Sequence, residues 1–93
     1  MKELTIRIHF RRQNGKVEDN QEEFALSYFH GILPSPGDRI LDPGVLQGLD
    51  RRDPENRNIW TVVGRVFNPR DLRDYVALIV EERKLTLEEE PFL

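Results

Sequence analysis

A chain of 93 residues with 17 acidic and 14 basic side chains, net charge −3, has room for one domain with a thin core. It contains no cysteine, which excludes disulfides, thiolate metal sites and thiol catalysis. No apolar run approaches the roughly 20 residues of a membrane helix, and Met1–Arg7 has no apolar leader region, so no membrane contact and a cytoplasmic address are expected.

Residues 4–10 alternate Leu4, Ile6, Ile8 and Phe10 with Thr5, Arg7 and His9, the period-two pattern of a strand with one buried face. Asn14-Gly15 supplies a tight turn, and Phe24, Leu26 and Tyr28 continue the alternation. A two-residue loop would set Ile6 against Glu23, mixing polar with apolar on the core face. A three-residue loop, Asn14-Gly15-Lys16, sets Leu4 against Leu26 and Ile6 against Phe24. It also brings Arg7 to Glu23 and Arg11 to Asp19, so the bulged hairpin is expected.

Residues 31–38 contain Pro34 and Pro36, which lack the N–H a ladder requires, and read as a connection ending in a turn at Pro36-Gly37. Arg39-Ile40-Leu41 is a short strand stopped by Asp42-Pro43-Gly44. Residues 45–49 suit a single helical or irregular turn, and residues 49–58 form a charged loop. Two strong strands follow, at 59–67 and 75–82. Pairing them sets Phe67 against Tyr75, Val66 against Val76, Val62 against Val80 and Gly64 against Leu78, with a bend or bulge at Gly64.

This hairpin is apolar on both faces. Trp60, Val62, Val66, Val76, Leu78 and Val80 form one; Ile59, Val63, Phe67, Tyr75 and Ile79 form much of the other. A half-exposed antiparallel strand alternates, so a cover for the second face is expected, either Leu85, Leu87, Phe92 and Leu93 of the tail or another subunit. The expected fold is mainly β with little helix: a small, partly open antiparallel barrel or roll of about five strands. The run Pro34-Ser35-Pro36-Gly37-Asp38-Arg39-Ile40 resembles the way strands begin in SH3-like barrels. The domain spans 1–84, followed by an acidic tail at 85–93.

The chemistry-bearing residues are few. Ser27 and Ser35 lie in no nucleophile elbow, His9 and His30 have no partner spacing, and no metal or phosphate-binding motif is present. No cofactor, no metal and no enzymatic activity are expected. The charge is uneven: residues 1–80 hold twelve acids and twelve bases, and the imbalance lies beyond them. A neutral body argues against non-specific binding to phosphate backbones. Eleven of the basic residues are arginine, the cation suited to planar and stacked contacts. The expected role is a protein-interaction or self-associating module with Trp60, Val63, Phe67, Tyr75 and Ile79 as contacts and Arg65 and Arg73 at the rim. The alternative is nucleic-acid binding by Arg51, Arg52 and Arg57 beside aromatic stacking platforms.

Overall fold

The computed structural model describes residues 3–93; Met1 and Lys2, which open the expected 1–84 domain span, lie outside the described residues. Strands β1 (Thr5–Arg11), β2 (Val17–Ala25), β3 (Arg39–Leu41), β4 (Asn58–Asn68) and β5 (Leu72–Lys84) form one sheet in the order β2-β1-β5-β4-β3. Short 3-10 turns at Leu26–Phe29, Pro54–Asn56 and Leu87–Phe92 are the only helical elements among the described residues.

The sheet is mixed rather than antiparallel, and it is not closed into a barrel. β1 and β5 run parallel at its centre, with Ile6 opposite Val76, Ile8 opposite Leu78 and Phe10 opposite Val80. Every apolar residue on the buried face of β1 thereby meets one from β5. Turn chemistry reports only pairings between neighbours in sequence, so this long-range pairing has no local signal. β2 and β3 remain as separate edges.

In the first hairpin the loop is Gln13-Asn14-Gly15, one residue earlier than expected. Gly15 takes φ +83° and donates to the Arg12 carbonyl, while the Arg12 N–H donates to Lys16 O, both at 2.8 Å. At the open end the expected register holds, with Ile6 opposite Phe24 and Arg7 opposite Glu23. Between the two ends Asn20, Gln21 and Glu22 stand against Ile8 alone. Gln21 adopts φ +63° and its N–H donates to Asp19 Oδ1 at 2.8 Å. This bulge moves Asp19 opposite His9 and turns its carboxylate to Arg7 at 2.7 Å. Arg11 pairs instead with Glu81 at 3.1 Å.

Ile6, Ile8, Phe10, Trp60, Val62, Val76, Leu78 and Val80 form the core on one face of the sheet. The connection from β2 to β3 crosses that face: Leu26, Phe29 and Leu33 pack on the cluster and Pro34 is buried. Trp60 sits at the centre, edge-on to Phe10 at 5.8 Å and tilted against Phe24 at 6.4 Å.

The tail is anchored to the domain at Leu85 and Glu89, whereas Leu87 and Phe92, two of the residues expected to cover the second face, are mostly exposed. Leu85 is buried and its N–H donates to Arg57 O. A capping box between Thr86 and Glu89 starts the last 3-10 turn, and both Glu89 oxygens accept from Arg83, at 2.8 and 2.9 Å. Phe92, though mostly exposed, lines a hollow with Leu41 and Ile59 on the second face of the sheet.

Two carboxylates are held far below their ordinary range by these contacts. Asp19 falls to about 2, first through Arg7 and then through the Gln21 N–H. Glu89 falls to about 2, first through Arg83 and then through the Thr86 N–H. A depressed carboxylate contributes stability above its unfolded pKa and loses it as pH falls toward the folded value. The urea midpoint is therefore expected to decline as pH falls from about 4.5 toward about 2. Glu89, with 11% side-chain exposure, should matter more than Asp19 at 43%, which water and salt screen. Amide exchange in residues 85–93 measured across that pH interval checks this, with Glu89→Gln expected to remove most of the acid-induced loosening.

Candidate interaction surface

The β4–β5 hairpin outgrows the strands beside it. β3 pairs with β4 only from Ile59 to Thr61, and backbone bonds of Gly37 and Asp38 extend the cover to Val62. β1 begins opposite Tyr75, so among the described residues β5 has no second strand beside it from Leu72 to Asp74. What remains is the free end of this hairpin, a finger: its β4 edge, Gly64–Asn68, has a strand on one side only, while β1 still flanks β5 from Tyr75 to Val80.

A bulge determines what the finger presents. Val62 pairs with Val80, but Gly64 pairs with Ile79, so Val63 is the extra residue. The expected site of the irregularity is correct; the expected pairing beyond it is not. Arg65 stands opposite Leu78, Val66 opposite Ala77 and Phe67 opposite Val76. Opposed residues share a face, so Phe67 lies on the face that carries the core and Val66 on the other, the reverse of the sequence assignment. The same shift leaves Tyr75 without Phe67 as its partner, and a second irregularity pairs Asn68 with Leu72.

Past the end of β3, both faces of the finger are wet. Val66, Phe67 and Leu72 are 53%, 55% and 49% exposed. Arg65, Arg70 and Arg73 surround them, all exposed, and none forms an ion pair among the described residues. At the base, Tyr75, Thr5, Glu23 and residues 70–74 line an open hollow of about 560 Å³. Burial chiefly pushes the Tyr75 hydroxyl up.

The residues singled out from sequence fall into three environments. Phe67, Arg65 and Arg73 are exposed together on the finger. Val63, Tyr75 and Ile79 are half-buried in the second face. Trp60 is wholly buried, with its indole N–H donating to Glu82 Oε2 at 3.0 Å, and it belongs to the core. Val66 and Leu72 are missing from the sequence selection. A glycine inside an apolar strand was the available signal, because a bulge there inverts every later side chain.

The loop arginines are not a set. Arg57 is buried, and its guanidinium donates to Arg51 O at 2.8 Å and Asp42 O at 3.1 Å. Arg51 is exposed but donates to Pro43 O at 2.9 Å. Arg52 is exposed, with no side-chain bond among the described residues. Two of the three thus brace the 42–57 loop.

No group of three or more His, Cys, Asp or Glu side chains is arranged to hold a metal among the described residues, and no described helix is long and apolar enough to cross a membrane. Comparison with protein-family models, with curated proteins and with solved structures finds no match for this chain.

Proposed function

We propose that this chain is a non-catalytic protein-binding domain that takes its partner on the β4–β5 finger. The observation carrying this reading is the half-exposed trio Val66, Phe67 and Leu72 beside an uncovered strand edge. Aliphatic and aromatic side chains ringed by arginine have the composition of an interface centre with a polar rim. A strand edge adds main-chain donors and acceptors for an extended partner. The lack of cysteine suits action in a reducing cytosol.

The paired substitution Val66→Asp and Leu72→Asp is the discriminating test. Neither residue belongs to the core cluster, so the variant should keep its far-ultraviolet circular dichroism and lose stability by no more than about 1 kcal/mol. Purified wild-type and variant chains would be used as baits for nuclease-treated lysate. Proteins retained by the wild type and lost by the variant support the proposal. Equal retention by both would move binding off the finger, and retention that disappears with nuclease would point to nucleic acid.

A further inference from the structure

Resting on that reading, we infer that the open edge of β4 pairs with the same edge of a second copy, antiparallel and centred on Val66, so that two five-stranded sheets become one.

The edges of this sheet are defended unequally. β2, at one end, carries Glu18, Asp19, Glu22 and Glu23 and is broken by the bulge at Gln21. Charge and bulging are the devices that prevent edge-to-edge pairing. The β4 edge from Gly64 to Asn68 has no carboxylate and no proline, and its irregularity between Phe67 and Asn68 puts the extra residues on β5. Its side chains are those of a pairing strand, and they stand exposed.

The sequence of this edge is self-complementary in one register. Centring on Val66 sets Val66 against its own copy and Arg65 against Phe67 of the second copy, twice by symmetry. The guanidinium then lies over an aromatic ring, a contact that Arg12 already makes with Phe10 within the chain, 4.9 Å from the ring centre. Centring one residue earlier opposes two Arg65 side chains, which is unfavourable. Centring one residue later brings Arg65 to Pro69, which has no N–H to give. The pairing is isologous and uses up both free edges, so it closes at a dimer.

Sedimentation velocity of the purified chain from micromolar to millimolar concentration tests the inference. A concentration-dependent dimer is expected. Amide exchange within 64–68 should slow as concentration rises, a readout that needs no variant. Phe67→Arg opposes like charges and should raise the dissociation constant about tenfold or more. The double substitution Arg65→Glu, Phe67→Arg restores opposite charges across the pair and should recover the dimer.

A wild-type chain that stays monomeric, or exchange in 64–68 indifferent to concentration, overturns self-pairing. Failure of the double variant to recover association overturns the register. The two proposals also fail separately. A monomer that still retains partners through Val66 and Leu72 refutes only the dimer, whereas a monomer that retains nothing refutes both.

Discussion

Trp60→Ala is expected to cost about 3–5 kcal/mol, measured by urea unfolding followed in the far ultraviolet. The indole is the largest wholly buried side chain of the core and bridges β1 and β2 through Phe10 and Phe24. Removing it opens a cavity at the centre of a single-layer sheet, where only a short connection lies above to collapse inward. Domains of this kind have total stabilities of about 5–15 kcal/mol, so the variant should be substantially unfolded near the low end of that range. Trp60→Phe separates packing from hydrogen bonding. It retains an aromatic ring but leaves Glu82 without its indole donor, and should cost about 1–3 kcal/mol. A Trp60→Ala chain that remains fully stable but ceases to bind would return this residue to the contact surface.

Arg57→Ala should produce the second large effect, about 3 kcal/mol, because it strips charged donors from the carbonyls of Arg51 and Asp42. Those bonds pin the middle and start of a long loop to the first residue before β4. Loss of the guanidinium should therefore show locally before it shows globally, as faster proteolysis within 43–53. Arg57→Lys should rescue little, since one ammonium cannot reproduce a planar fork directed at two acceptors. The same buried cation lies close to Asp42, whose carboxyl is nonetheless raised, chiefly because burial outweighs the Gly44 N–H it accepts. Unchanged loop proteolysis in Arg57→Ala would show that the turns at Asp50 and Asp53 hold the segment alone.

Much of the fold is legible where a residue's neighbours in sequence decide its conformation. The alternation at residues 4–10, the turn at Gly15 and the irregularity at Gly64 each announce themselves because a side-chain period or a backbone requirement is local. The β1–β5 pairing is invisible to such reasoning, and so is the double-residue bulge at Gln21, where a non-glycine residue accepts a left-handed conformation with help from Asp19. The candidate surface shows the same division. Apolar residues on both faces of one hairpin correctly mark it as unusual, yet their assignment to faces depends on bulge placement to within one residue. Phe67 emerges on the core face for that reason, yet exposed for a second one, whereas Trp60 precedes the bulge and faces Glu82 in either register. Exposure depends on where neighbouring strands stop, and the three-residue length of β3 is set by the Pro- and Gly-rich segments around it rather than by anything in β4.

The parallel contact at the centre of the sheet also governs how the molecule is made. Ile6 and Val76 sit side by side although seventy residues separate them, and the same holds for Ile8 with Leu78 and Phe10 with Val80. The entropy of closing that loop is lost before any of the three pairs forms. During synthesis β1 leaves the ribosome with its inner edge unpaired and stays so until β5 emerges. Folding should thus be slow for so short a chain, in the millisecond-to-second range of non-local β topologies. The nascent hairpin, rather than the finished protein, is then the species most exposed to aggregation.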